Sequence, residues 1–106
     1  MKNDKFVQLV EEQIARSRDI LAIKQSEYAT EDRLHNFKVA AALQDCTMKQ
    51  VCGGFLAKHI VSVYDMIRTN KDYTMEHWNE KITDSINYLL LLRAIVEEPQ
   101  ENRSEV

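Results

Sequence analysis

Apolar residues recur along this chain at three- and four-residue intervals, the spacing of helices that turn one face to a core. Phe6, Val7, Val10, Ile14 and Leu21, with Ser17 among them, form the first such line, and Asn3 or Asp4 stands where a cap would be. They predict a helix over residues 4–28. A short polar stretch from Ala29 to Asp32 follows. Leu34, Phe37, Ala41 and Leu43 then mark the buried side of a shorter helix across Arg33 to Leu43. Thr47 and Gln50 have capping-box spacing, in which a hydroxyl and an amide satisfy free N–H groups at a helix start. A third helix begins there, with Cys52, Leu56, Ile60, Val63 and Ile67 on its apolar side and its end near Thr69 and Asn70. Gly53 and Gly54 lie in its first turns, where they permit close helix contact or a kink. Thr74 caps a last helix with Glu76 and Glu80 near its positive end, running through Trp78, Ile82, Ile86, Leu89, Leu90 and Val96 to Glu98 and Pro99.

Four helices with short connections predict an all-α bundle, antiparallel where the loops are short. The run Leu89 to Leu92 is apolar around the whole helix, which calls for burial beyond one face and predicts a homodimer or larger assembly. Residues 1–98 are expected to form one helical domain and 99–106 a disordered polar tail. With 106 residues the chain can build one modest core. A net charge of -3 leaves no broad basic surface for a nucleic-acid backbone, so DNA is not an expected partner. Two cysteines, Cys46 and Cys52, are too few for a disulfide scaffold or a thiolate zinc site. The start, Met1 to Phe6, has no apolar signal core, and no apolar run nears the roughly 20 residues that span a bilayer. The expected location is the cytoplasm, away from membranes.

Three groups of residues carry candidate chemistry. On the last helix Lys81, Asp84, Asn87 and Tyr88 share a face that continues into Leu91 and Ile95, so Asp84 and Asn87 are expected to point inward. A satisfied core network, with Asp84 paired to Lys58 or Lys81, is the alternative to a site. On the third helix Lys58, Ser62 and Asp65 form a polar line that could face the last helix across a cleft, with His59 beside it. Around the first inter-helix loop, Lys24, Arg33 and His35 could hold phosphates and Tyr28 or Phe37 could stack on a base, with Glu27 and Asn36 completing the set. The plain alternative there is a loop-ordering network with Asn36 as a cap.

Together, Lys24 to Tyr28 with Asn36-Phe37, and Asp84-Ser85-Ile86-Asn87-Tyr88-Leu89-Leu90-Leu91-Leu92, resemble two motifs of one family. It comprises small phage-type proteins related to the MazG-like all-α nucleotide pyrophosphohydrolases and to nucleotide-modification-associated domains. The resemblance spans roughly residues 20–96. It implies a dimeric or tetrameric helical bundle in a host cytoplasm that binds a nucleoside triphosphate. In active members the triphosphate is cleaved to a monophosphate and pyrophosphate with magnesium held by paired carboxylates. Here the stretch Lys58 to Ser62 has no Glu-x-x-Glu pair, and Lys81 stands where an acid is expected three residues before Asp84. The remaining carboxylates are Glu27, Asp65, Glu80 and Asp84, and Asp65 with Asp84 are the expected magnesium ligands. The expected function is nucleotide binding, with or without hydrolysis, in which Lys58, Lys81 and Arg33 meet phosphates, Tyr28 or Phe37 meets the base, and Asp84 with Asn87 orders the pocket. The alternatives are a non-catalytic protein that sequesters a nucleotide signal or a host protein, and a purely structural dimer.

Overall fold

A computed structural model describes residues 1–26 and 31–98; the expected tail, 99–106, lies outside the described residues. All regular structure among them is helical: α1 (Asn3–Ser26), α2 (His35–Gln44), α3 (Met48–Arg68) and α4 (Met75–Glu97). The caps explain the boundaries. Thr47 Oγ1 accepts from the Gln50 N–H at 3.1 Å while Gln50 Oε1 accepts from the Thr47 N–H at 2.9 Å, closing the capping box of α3. Thr74 Oγ1 accepts from the His77 N–H at the start of α4. Asp45 ends α2 in the left-handed conformation, φ 52°, its N–H returning to Ala42.

Two helix pairings set the architecture. Cys52 of α3 donates its thiol to the Tyr88 carbonyl, and His59 stands beside Asp84, so α3 and α4 run antiparallel. Gln13 meets Thr83 and Asn87 meets Ser17, both seventy positions apart, so α1 runs parallel to α4 and in constant register. α2 covers the first turns of α3, and α1 packs against α4 alone among the helices. The result is elongated, 51 × 29 × 25 Å, with a radius of gyration of 16.4 Å against about 13 Å for a compact chain of this length.

The core lies where α2, α3 and the second half of α4 meet: Leu34, Phe37, Ala41, Val51, Cys52 and Ile95. The expected side of α2 is found at Leu34, Phe37 and Ala41, but Leu43 is 82% exposed, because the helix turns it 160° away from Ala41's neighbours toward solvent. Larger departures concern the long helices. Ser17 is buried on α1 while Phe6, Val7, Val10 and Ile14 are exposed; on α4 Thr83, Ser85 and Asn87 are buried while Leu89, Leu90 and Val96 are exposed. The α1–α4 contact is polar: Gln13 Nε2 donates to Thr83 Oγ1 at 2.9 Å and to Ser17 Oγ at 3.1 Å, and Asn87 Nδ2 donates to the Ser17 carbonyl at 3.5 Å. On α3, Ile60 and Ile67 are also exposed, and a Cβ on Gly53 or Gly54 would meet nothing within 4 Å, so neither glycine mediates a close contact among the described residues. No helix among the described residues is long and apolar enough to cross a membrane.

Cys52 is fully buried and burial pushes its thiol pKa up, whereas Cys46 is half-buried. A thiol reagent at neutral pH is expected to modify Cys46 first, with Cys52 reacting only as the chain unfolds; mass spectrometry of a time course would show the order. Thr83→Val keeps the shape but leaves the Gln13 amide without its cross-helix acceptor. The expected cost is about 1–3 kcal/mol in urea unfolding, with the loss of hydrogen-exchange protection concentrated in α1.

Candidate functional site

The loop before α2 is built by Asp32. Its Oδ1 accepts from the Leu34 N–H at 2.9 Å and its carbonyl from the His35 N–H at 3.1 Å, which starts the helix without an Asn36 cap. Its Oδ2 lies 2.7 Å from Lys38 Nζ, which also reaches Glu98 Oε1 at 2.7 Å, clasping the loop to the end of α4. Arg33, next in sequence, donates from Nη1 to the Leu21 carbonyl at 3.0 Å. The guanidinium is thereby held against α1, within one turn of Lys24.

That anchorage completes a cleft between α1 and α3 with α4 as its floor. Ile20, Leu21 and Lys24 form one wall, Arg33 closes an end, His59 stands opposite, and Asp84, Asn87, Tyr88 and Leu91 lie between, around a volume of about 190 Å³. His59 Nδ1 is 3.9 Å from Asp84 Oδ2, a distance for an ion pair with the protonated ring and too long for a hydrogen bond. The His59 ring stacks on Tyr88 with centroids 4.8 Å apart, Tyr88 stacks on Phe55 at 6.0 Å, and Phe55 meets Phe37 edge-on at 6.4 Å. Asn87 is only 6% exposed. Its Oδ1 accepts no hydrogen bond among the described residues, an unmet demand in a buried position.

A second cleft of about 400 Å³ adjoins the first across Tyr88 and Leu91, which line both. Its walls are His35, Asn36, Phe37, Val39, Ala40 and Leu43 of α2 and Phe55 of α3. One side of the Tyr88–Leu91 partition is therefore rich in charge, and the other is aromatic and aliphatic with an imidazole and an amide at its rim. The first can hold an anion between Lys24 and Arg33; the second offers flat apolar surface to a planar group.

Of the residues expected from sequence, Lys24, Arg33, Asp84, Asn87 and Tyr88 meet in the first cleft and His35, Asn36, Phe37 and Tyr88 in the second. Glu27 and Tyr28 lie outside the described residues. Lys58 lines a separate depression with Gln44, Gln50 and Gly54, and Lys81 sits one turn before Asp84 without lining either cleft. The expected polar line of α3 is turned away from α4: Lys58 and Asp65 are exposed, and Ser62 Oγ donates back to the Lys58 carbonyl. The partner of Asp84 is His59, not Lys58 or Lys81. Asp65 falls about 9 Å farther along α3 than His59, so the expected magnesium pair Asp65 and Asp84 is not brought to one point. Among the described residues no group of three or more His, Cys, Asp or Glu side chains converges. His59, Phe55, Ile20 and Leu91 are additions to the expected set. Their signal was available for α3, where Cys52, Phe55 and His59 repeat at helical spacing one step from the line centred on Lys58.

No protein-family model, curated protein or solved structure matches this chain. Its function has to be read from the two clefts themselves.

The Asp32–Lys38–Glu98 clasp responds to pH in a defined direction. The hydrogen bond from Lys38 holds the Asp32 carboxyl below its ordinary 3.8, and the hydrogen bonds to Asp32 and Glu98 raise the Lys38 ammonium above its ordinary 10.5. Its contribution is thus present between those ordinary values, is lost on acidification as pH falls through the depressed Asp32 value, and is lost at high pH through the raised Lys38 value. Carboxyl NMR titration is expected to give an Asp32 midpoint below 3.8 that returns toward it in Lys38→Met.

Proposed function

We propose that this chain is a nucleotide-binding protein that seats the phosphates of its ligand between Lys24 and Arg33 and its base against the aromatic cleft beyond Tyr88. One observation carries the reading: five residues from three separate stretches of sequence, Lys24, Arg33, and Asp84 with Asn87 and Tyr88, line one cleft, and the buried Asn87 Oδ1 there lacks a donor among the described residues. A nucleotide matches that inventory. Its phosphates suit two cations, its ribose hydroxyls or exocyclic amine can donate to Asn87 Oδ1 or Asp84, and its flat base suits the exposed ring of Phe55, since Phe37 is buried in the core. The two adjoining clefts suit a bipartite ligand better than a single small anion, which would leave the aromatic side unused. The reading agrees with the MazG-like resemblance and with a cytoplasmic setting, that of the host if the chain is of phage type.

Sequestration of a nucleotide without hydrolysis is the second reading. It is favoured by the charge of the cleft: Lys24 and Arg33 can neutralise phosphate directly, and Asp84 is the carboxylate that lines it. Hydrolysis with magnesium needs oxygen ligands on more than one side of the metal. Glu27, the nearest candidate in sequence, is outside the described residues.

The test is a thermal-shift screen of nucleoside mono-, di- and triphosphates and cyclic nucleotides, with and without magnesium. A ligand at a hundred times its dissociation constant is expected to stabilise the fold by about 2.7 kcal/mol. The shift should vanish in Arg33→Met and Asn87→Leu variants that remain folded, and persist in Asp65→Ala. A magnesium-independent shift supports sequestration, and a magnesium-dependent one calls for a pyrophosphate-release assay. Absence of a shift with every nucleotide would sink the proposal.

A further inference from the structure

We infer that the cleft, read as a nucleotide site, selects ribose over 2′-deoxyribose through Asn87 and Asp84, a specificity that rests on the proposed function and narrows it. The amide of Asn87 sets the requirement. Its residue is 6% exposed and lines the first cleft, and Nδ2 is spent on the Ser17 carbonyl at 3.5 Å. A carbonyl can only accept, so turning the amide over would set two oxygens against each other, and the orientation is fixed. Oδ1 is therefore the end left for a ligand, and it meets no donor among the described residues. A buried acceptor without a donor costs free energy, and it defines what a ligand has to bring: an O–H or an N–H.

A second acceptor stands one helical step away. Asp84 is three residues before Asn87 on the same face of α4 and lines the same cleft. His59 Nδ1 is 3.9 Å from its Oδ2, beyond hydrogen-bond reach, so the carboxylate keeps its capacity to accept. Position decides which part of a nucleotide supplies the donors. Phosphate is drawn to Lys24 and Arg33 and the base to the aromatic cleft beyond Tyr88, which leaves the sugar that joins them over Asp84 and Asn87. An exocyclic amine falls on the far side of the Tyr88–Leu91 partition, where His35 and Asn36 line the wall. The donors in the middle of the ligand are the 2′ and 3′ hydroxyls. Two donors on adjacent carbons match two acceptors at i and i+3. A site with fixed acceptors rejects an analogue lacking a hydroxyl far more sharply than an apolar pocket discriminates by size.

Calorimetric titration of the unaltered chain reads the preference directly and relies on no variant to fold. The probes are the mono- and triphosphates of adenosine, guanosine, cytidine and uridine, each beside its 2′-deoxy and 2′,3′-dideoxy counterpart. For the base that binds, the 2′-deoxynucleotide is expected to bind about 10- to 100-fold more weakly than the ribonucleotide, and the dideoxynucleotide more weakly still. In Asp84→Ala, with helical circular dichroism retained, the gap between ribonucleotide and dideoxynucleotide should narrow, because one of the two acceptors is gone. Equal affinities for ribo- and deoxynucleotides overturn this specificity and leave nucleotide binding standing, and so does a gap that Asp84→Ala leaves unchanged. Absence of binding by every probe is a different failure, which overturns the nucleotide reading itself.

Discussion

Gln13 and Ser17 on α1, hydrogen-bonded to Thr83 and Asn87 on α4, form the contact from which most of the molecule's shape follows. Helices of soluble proteins usually meet through apolar faces, with polar groups left outside. Here the order is reversed over one interface, and the reversal has a physical reason. Buried hydroxyl and amide groups cost free energy unless each finds a partner, so the one rotation of α1 that satisfies this set is strongly preferred. Hydrophobic contact has no such directionality. The polar set therefore decides the orientation of α1, and the apolar residues take whatever position that orientation leaves them.

The same orientation supplies the cleft. With Ser17 held against α4, Ile20 and Leu21 one turn onward and Lys24 two turns onward face the gap above Asp84 and Asn87, and the Leu21 carbonyl is turned to receive Arg33. α3 contributes the opposite side through the stack of His59 on Tyr88 and Phe55. A stack of this kind is stiff, since moving any ring requires its neighbours to give way. The two flanks differ in character as a result: one is fixed by interlocked rings, and the other rests on hydrogen bonds from a helix that touches the remainder of the protein on a single side.

The helices themselves were legible in the sequence because their ends carry chemistry of their own. Thr47 with Gln50 and Thr74 announce their caps locally, and no tertiary contact was needed to read them. Burial was harder. The line through Val10 and Ile14 marks one side of α1 and the run Leu89 to Leu92 is apolar around α4, but sequence periodicity does not say whether such residues face this chain's own core or lie open, as Leu89, Leu90 and Val96 do. On α3 the error was a single residue: reading the line at Lys58 in place of His59 turns the helix by about 100°, which sends the lysine and Asp65 to solvent and brings an imidazole to Asp84. α4 was read in the right sense because Asp84 and Asn87 continue into Leu91 and Ile95, and the full burial of Ile95 fixes that face inward. The convergence of Lys24 and Arg33 was suggested by their closeness in sequence, but the hydrogen bond to Leu21 that joins them was invisible there.

The separation of seventy positions between the partners across α1 and α4 also bears on how the chain reaches its final form. α2, α3 and α4 are neighbours in sequence and contact one another over short loops, so their association closes small loops at low entropic cost. α1 has to wait for the strandless hairpin of α3 and α4 to exist, because Thr83 and Asn87 are its only described hydrogen-bonding partners there. Loop-closure entropy thus favours an order in which a helical hairpin capped by α2 forms first and α1, with its wall of the cleft, docks onto it last.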